Sequence, residues 1–167
     1  RLFEVEMRKR KVPYVLLGSQ SFFDRREIRD ILAYLKWIDQ PDDEVSLLRV
    51  VNTPPRGLGS QTMQLLIARA VARGESVWRV MNDPSAIQDL TPAARRGIAD
   101  LRALSQDIAL ATRSGSMAEA VQMLINRTRY LDEIARLYDE PEERESRTAS
   151  LGEVSNAIAA YQERTPD

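Results

Sequence analysis

The chain has 167 residues, of which 43% are hydrophobic and 29% are charged, a balance typical of a globular domain. It contains no cysteine and no histidine, which excludes disulfides, thiolate nucleophiles and the usual Cys/His zinc sites and removes the commonest general base. Because the formal net charge is −1, any nucleic-acid contact has to come from a local basic surface or from backbone amides rather than from the overall charge.

The cellular compartment can be predicted from three features that the sequence lacks: a membrane span, a signal peptide and cysteine. No apolar run approaches the roughly 20 residues that a membrane-spanning helix needs, and no signal-peptide pattern opens the chain. The lack of cysteine fits a reducing compartment, so we expect a cytoplasmic protein that does not act at a membrane. Because the first residues already follow a helical pattern, we expect the chain to be a piece of a longer protein.

The first twenty residues predict the end of a helix and one buried strand. The helix should stop before Pro13, and Tyr14–Leu17 is a short apolar run that Gly18 and Ser19 close. A strand needs partners, and the rest of the chain has no second convincing strand. The sheet to which this strand belongs should therefore lie mostly outside the chain.

Four helices are predicted in the next sixty residues. From the apolar spacing and the break signals, they cover residues 25–38, 43–51, 60–72 and about 76–81. Asp24 is expected to cap the first, with Glu27 completing a capping box, and Asp42 or Asp43 is expected to cap the second. Arg73-Gly74 ends the third.

The remainder of the chain is also predicted to be helical. Thr91 and Pro92 suit the first positions of a long helix that ends near residues 114–115, and Ser116 with Glu119 forms a capping box for the next. The apolar residues of the long helix that should point inward are Ile98, Leu101, Leu104, Ile108 and Leu110. Further helical patterns cover residues 130–138 and 151–161, separated by a charged helix or exposed turn at 141–147. The predicted class is mainly α.

A glycine hairpin, Gly57-Leu58-Gly59, joins the second and third predicted helices. Glycine permits a positive φ angle and lets another backbone approach closely because no Cβ intervenes. The first N–H groups of the following helix have no partner within that helix, and the positive end of its dipole faces the same way. These features together favour a phosphate site.

The residues around the glycines support this interpretation. Leu58 can turn inward and lock the hairpin to the core, while Ser60, Gln61 and Thr62 place hydroxyl and amide groups at the edge and Arg56 adds a charge. Such contacts position a nucleic acid without reading its bases. For a bare Gly-x-Gly, a plain helix–turn–helix corner with glycines that only permit the turn is the more common explanation, so the phosphate site depends on the wider sequence around the glycines.

The hairpin is the last part of a longer string of sequence motifs that spans about a third of the chain. The matching segments are Val12-Pro13-Tyr14, Phe22-Phe23, Arg25, Glu27-Ile28-Arg29-Asp30, Ala33-Tyr34-Leu35-Lys36, Gln40-Pro41-Asp42-Asp43, Arg49-Val50-Val51-Asn52-Thr53-Pro54 and Arg56-Gly57-Leu58-Gly59. In order and spacing this string resembles the UvrD/PcrA/Rep-type helicases, the superfamily 1 DNA helicases that translocate 3′ to 5′. The departures are small: Ser19, Leu58 and Arg29 stand where the family usually has Gly, Ile and Lys.

The resemblance implies a domain organisation and a DNA contact. Residues 1–22 would be the end of the first part of motor domain 2A, which explains the single strand, and residues 23–167 would be the helical 2B domain with a helix-hairpin-helix-like motif. In the family, the 2B domain touches double-stranded DNA ahead of the fork through this hairpin and a basic residue on the first helix. The corresponding residues here are Arg29, Arg56, Gly57, Gly59, Ser60, Gln61 and Thr62.

The resemblance also implies where the chemistry lies. The chain has no phosphate loop and no motor Asp-Glu motif, so ATP and Mg would bind the motor domains of the longer helicase and this piece alone would be inactive. We expect Asp42, Asp43 and Glu44 to serve as helix caps rather than as a metal site. The alternative function is a helical protein–protein module that docks on a partner or on the motor, and a free-standing enzyme has little support.

Overall fold

The computed structural model describes residues 22–164, so the predicted strand at Tyr14–Leu17 and the helix before it lie outside the described residues. A 3-10 turn at Phe22–Asp24 leads into the α-helices of this part of the chain. These are α1 (Arg26–Asp39), α2 (Glu44–Val50), α3 (Ser60–Arg73), α4 (Val77–Asn82), α5 (Pro84–Ile87), α6 (Pro92–Ser114), α7 (Met117–Thr128), α8 (Tyr130–Leu137) and α9 (Pro141–Arg164). The mainly α class is confirmed, and the boundary predicted at residues 22 and 23 stays a prediction.

Helix α1 is central to the packing. It contacts α2, α6, α7 and α9, and its buried face carries Ile28, Ile31, Tyr34 and Trp37. Trp37 is only 1% exposed and meets Trp78 edge to face, with 4.8 Å between the ring centroids. Helix α3 packs against α4, and α6 and α7 form a second helical pair beside α1. One hydrophobic core therefore joins the early helices, which flank the hairpin, to the later ones.

Side-chain caps define most helix starts where the sequence indicated them. Asp43 accepts a hydrogen bond from the Ser46 N–H at 3.1 Å at the start of α2, and Thr91 accepts one from Ala94 at 3.1 Å at the start of α6. Ser116 caps α7 with the predicted capping box. These caps confirm the local predictions, because each depends on residues only two or three positions apart.

The predicted capping box at the start of α1 is wrong. Arg25 occupies the N-cap position, and no side chain caps this helix. Glu27 is 1% exposed and accepts a hydrogen bond from Arg147 of α9 at 3.4 Å instead of reaching back to the helix start. Glu27 thus pairs with Arg147 of α9 and contributes no cap to α1.

Two further predictions need correction, and one helix was not predicted. Leu110, expected to point inward, is 66% exposed because it lies two residues beyond the buried Ile108 and so on the far side of α6. The segments predicted separately at 141–147 and 151–161 form one helix, α9. The short helix α5 had no sequence prediction, although Asp83 caps it and Pro84 occupies its first position.

Buried carboxylates on α1 tie it to other helices. Asp30 is 2% exposed, pairs with Arg49 of the α2 C-terminus at 2.7 Å and accepts a hydrogen bond from the Tyr130 hydroxyl at 2.5 Å. Burial and the neighbouring Asp30 raise the pKa of Tyr130. Because a buried charge is costly without partners, these contacts fix α2 and α8 relative to α1.

Candidate nucleic-acid interface

The hairpin between α2 and α3 is held from inside by an asparagine. The Asn52 Oδ1 atom accepts hydrogen bonds from the backbone N–H of Arg56 at 2.7 Å and of Leu58 at 3.3 Å. Leu58 is 1% exposed, which confirms that it turns into the core. Gly57 has φ of +77°, a value that favours glycine. The loop therefore has one defined shape, with Gly57 and Gly59 on its exposed side.

Helix α3 begins without a side-chain cap. Its N-cap residue is Gly59, and the first backbone bond of the helix runs from Met63 N–H to the Gly59 carbonyl at 3.0 Å. Within residues 22–164, the N–H groups of Ser60, Gln61 and Thr62 have no hydrogen-bond acceptor. Ser60 and Gln61 are exposed and Thr62 is half-buried. Together the N–H groups form a donor surface at the positive end of a 14-residue helix.

The space in front of Gly59 is open. A Cβ atom placed on Gly59 would meet no other atom within 4 Å, and its backbone angles, φ −69° and ψ 176°, suit any residue. Neither the loop conformation nor internal packing therefore requires glycine at this position. A glycine here keeps the approach to the donor surface free of side-chain atoms.

Arg56 points into the protein rather than outward. Its Nη1 atom donates to the carbonyl oxygens of Val50 at 2.9 Å, Thr53 at 3.3 Å and Val51 at 3.4 Å, and its Nη2 atom donates to the Tyr34 hydroxyl. These carbonyls lie at the C-terminal end of α2 and just beyond it, where an arginine both supplies donors and complements the helix dipole. The Arg56 guanidinium thus joins the end of α2 to the hairpin and to α1.

Tyr34, on the buried face of α1, also supports the hairpin. Its hydroxyl donates to the Thr53 carbonyl at 2.5 Å, and the Arg56 guanidinium carbon lies 5.5 Å from the centroid of its ring. Burial raises the pKa of Tyr34 to about 12, although the neighbouring Arg56 opposes the shift. At neutral pH the hydroxyl is therefore protonated and available as a donor.

Arg29 is exposed but is not brought to the hairpin. It makes no side-chain hydrogen bond or ion pair with any described residue. It precedes Tyr34, which does touch the hairpin segment, by five residues, so the two side chains diverge by about 140° around α1. Arg29 and the donor surface are thus separate positive features.

Helix α6 supports the hairpin from the side, a contact that the sequence reading missed. A Cβ atom on Gly97 would lie 2.2 Å from the Arg56 carbonyl oxygen, and one on Gly57 would lie 3.2 Å from the Ala93 Cβ. The hairpin backbone therefore packs directly on the first turns of α6. An isolated glycine inside a long helical pattern, as at Gly97, was the available signal for such a close approach.

A cleft of about 460 Å³ opens beside the hairpin. Pro54, Pro55 and Arg56 form one side of it, and residues of α6 and α7, including Asp100 and Arg127, form the others. Arg127 pairs with Asp107 at 2.5 Å, so its charge is balanced. With Asp100 exposed at its edge, the cleft is less favourable for a phosphate than the donor surface.

The acidic triplet at the start of α2 has structural partners. Asp42 pairs with Arg79 at 3.0 Å, Asp43 caps α2, and Glu44 accepts a hydrogen bond from the Val77 N–H at 3.0 Å. No cluster of acidic residues in the described part of the chain is arranged to hold a metal ion. Across residues 22–164, each helix falls short of the length or the hydropathy that a membrane span requires.

The amino-acid sequence of the chain is similar to those of known DNA helicases. The chain is 42% identical to the ATP-dependent DNA helicase Rep of Salmonella typhimurium over 91 residues, which are 54% of this chain and 14% of that protein. It is 25% identical to the ATP-dependent DNA helicase PcrA of Bacillus subtilis over 167 residues, and 27% identical to PcrA of Staphylococcus epidermidis over 166. These matches cover 100% and 99% of this chain and 22% of each PcrA protein.

The family model described as the UvrD-like helicase C-terminal domain matches residues 1–89, which include α1 to α5, the hairpin and the donor surface. The chain spans only a small part of the helicases it matches, as expected for a fragment. The chain belongs to the UvrD-like helicase C-terminal domain family.

Proposed function

We propose that this chain is the 2B portion of an ATP-dependent 3′–5′ DNA helicase of the cytoplasm that unwinds DNA in repair or replication, and that it binds the duplex at the junction with single-stranded DNA. The observation that carries this proposal is the uncapped start of α3, where the N–H groups of residues 60–62 have no acceptor within residues 22–164 and the space in front of Gly59 is open. ATP and Mg act in the motor domains of the longer protein, outside this chain.

The donor surface suits a DNA phosphate in charge and in shape. Backbone N–H groups at a helix start donate to phosphate oxygens, and the helix dipole adds about half a positive charge. Gly59 presents no side chain, so the sugar–phosphate backbone can approach the peptide groups closely, and the exposed Gly57 borders the same approach. The side chains of Ser60, Gln61 and Thr62 add further polar contacts. None of these groups reads a base edge, so the contact is independent of sequence.

The two arginines predicted to bind DNA have different roles in this proposal. Arg29, exposed and without a described partner, contacts a second phosphate of the duplex. Arg56, whose guanidinium is bonded to the end of α2, holds the hairpin in the conformation that presents the donors. The motor domains of the longer protein supply the movement, and this domain positions the duplex.

The alternative is a protein–protein module, and one observation favours it. Val45 of α2 and Val71 of α3 are 81% and 78% exposed, more than apolar side chains usually are. If these helices dock on a partner or on the motor, binding should depend on apolar contact and should change little with salt. Phosphate binding releases counterions and so falls steeply with salt.

A salt titration separates these two functions. Binding of the chain to a fluorescently labelled duplex with a 3′ single-stranded tail would be measured by anisotropy at increasing salt. We expect weak binding, with log affinity falling linearly with log salt by about 0.9 for each phosphate contact. Absence of binding, or affinity independent of salt, would contradict the DNA-binding proposal.

Two substitutions with matched controls test the named residues. Thr62→Ala and Arg29→Ala should weaken duplex binding, whereas changes of the same type at two exposed residues far from the hairpin, Thr148→Ala on α9 and Arg113→Ala at the end of α6, should not. In the longer helicase, the first two changes should slow unwinding without altering ATP hydrolysis stimulated by single-stranded DNA. A collapse of hydrolysis would show that the residues serve the motor instead.

A further inference from the structure

The hairpin has a donor surface but little full positive charge of its own. Arg56 is bonded to carbonyl groups, and nearby arginines have comparable partners in the described structure. Arg69 binds Asp89, Arg95 donates to the Gln88 carbonyl, and Arg102 donates to Asn82 and to the Met81 carbonyl. Each of these guanidinium groups is already held by a contact within the described part of the chain.

Arg96 of α6 differs from them. It is exposed, and it makes no side-chain hydrogen bond or ion pair with any residue between 22 and 164. It lies three residues after Ala93 and one before Gly97, the two positions at which α6 touches the hairpin backbone. Residues three or four apart share a helix face, so Arg96 borders this contact on its outer side.

Its direction follows from the helix geometry. Around α6, the buried Ala94, Ile98 and Leu101 mark the core side, and Ala93 with Gly97 marks the side that touches the hairpin. At about 100° per residue, Arg96 lies about 80° from the hairpin contact, on the side away from the core. Arg96 therefore lies on the solvent side of the contact between α6 and the hairpin.

We propose that Arg96 is an additional phosphate-binding residue, which supplies the full positive charge beside the glycine hairpin when the chain holds duplex DNA. This inference rests on the proposed function and extends it to α6, which lies beyond the residues 1–89 that the family model matches. A phosphate held by the N–H groups of α3 is followed along the backbone by another that Arg96 meets.

Asp100 limits where the DNA backbone can pass across α6. It lies one turn after Arg96 on α6 and lines the cleft beside Pro54 and Pro55. A carboxylate repels phosphate, so the DNA backbone passes over Gly57 and Arg96 and does not enter the cleft. Arg96 and Asp100 thus place a positive and a negative residue about 6 Å apart along the axis of α6.

The test compares Arg96→Gln with Arg113→Gln in the whole chain. Both changes remove one charge from an exposed position on α6 that has no described partner, but Arg113 lies about 25 Å further along the helix. Binding to the tailed duplex would be measured by anisotropy over a range of salt concentrations. We expect Arg96→Gln to weaken binding several-fold and to reduce the salt slope by about 1, with Arg96→Lys restoring most of both. Arg113→Gln should leave the slope unchanged.

The outcomes distinguish this inference from the function on which it rests. If Arg96→Gln and Arg113→Gln behave alike while the unaltered chain binds the tailed duplex with a steep salt dependence, the role of Arg96 is refuted and the proposed function stands. If the unaltered chain shows no salt-dependent duplex binding, the proposed function and the role of Arg96 are refuted together. Loss of binding by Arg96→Gln with a lowered urea midpoint would refute a direct contact, because an exposed, unpaired arginine should not affect folding.

Discussion

A side-chain cap on α3 should stabilise the chain and weaken DNA binding at the same time. The substitution is Gly59→Asp, at a position with ordinary backbone angles and no atom within 4 Å of a new Cβ. Its carboxylate can accept the N–H group of Gln61 or Thr62, as Asp43 accepts that of Ser46 at the start of α2 at 3.1 Å. The donors that the proposed function assigns to phosphate would then be occupied.

The two effects have opposite signs and measurable sizes. Replacing an N-cap glycine by aspartate gains a few tenths of a kcal/mol from the cap, about 0.3–1 from the helix dipole and about 0.4–1 from the restricted unfolded chain. The free energy of unfolding should thus rise by roughly 1–2 kcal/mol, or several degrees in Tm for a chain of this size. A hydrogen bond to a charged group contributes about 1.5–3 kcal/mol, so loss of one phosphate contact should weaken binding about tenfold or more.

Stability would be measured by urea denaturation, with the fluorescence of Trp37 and Trp78, the two tryptophans of the chain, as the signal. Affinity would be measured by anisotropy with the tailed duplex. Gly59→Ala adds a Cβ without an acceptor and controls for bulk, while Gly59→Asn caps without a charge. Unchanged affinity in a stabilised Gly59→Asp chain would refute the assignment of these donors to DNA. A weakened Asp variant beside an unaffected Asn variant would attribute the loss to charge repulsion alone.

Two further predictions concern the supports of the hairpin. Gly97→Ala should lower the free energy of unfolding by about 1–3 kcal/mol, because its Cβ would lie 2.2 Å from the Arg56 carbonyl oxygen and normal contact begins near 3.4 Å. The urea midpoint should fall, whereas Gly152→Ala, on an open face of α9, should leave it equal or higher. The second prediction is a loss of stability at alkaline pH through Tyr34, whose pKa is raised to about 12 from 10. Because the folded chain holds this proton more tightly than the unfolded chain, the contribution is complete below pH 10 and decreases by up to about 3 kcal/mol as the pH rises to 12. In urea titrations across this range Tyr34→Phe should flatten the decline, and an equally steep decline would show that other groups cause it.

The parts of the fold that the sequence predicted well depend on neighbours along the chain. Asp43, Thr91 and Ser116 cap their helices through N–H groups two or three residues away, and Gly74 ends α3 in the left-handed conformation. Each of these features requires only a few local residues of the right type. The cap expected from Asp24 failed because Asp24 ends the 3-10 turn and Arg25 occupies the N-cap position. Glu27, expected to complete the capping box, has its partner 120 residues away, which no local pattern contains.

The features of the candidate site also divide into those that nearby residues determine and those that distant residues determine. The glycines, the inward Leu58 and the free N–H groups followed from the motif and from the helix that begins at Ser60. The direction of Arg56 did not, because an arginine beside two glycines can point outward or inward and the choice depends on Tyr34, 22 residues earlier. The contact with Gly97, on a helix that begins more than thirty residues later, also depends on tertiary packing.

Three supports from separate parts of the chain hold the donor surface in one conformation, so it is ordered before the proposed contact with DNA. Asn52 bonds the loop from within, Tyr34 and Arg56 join it to α1 and α2, and Gly97 allows α6 to pack against it. A surface that is already ordered loses little conformational freedom on binding, so a few neutral N–H groups can give useful affinity. Under the proposed function, Arg56 therefore acts by fixing the donors, because its guanidinium is bonded inside the loop. The full positive charge that strengthens a phosphate contact would then come from the neighbouring helix α6, where Arg96 is exposed and has no partner among residues 22–164.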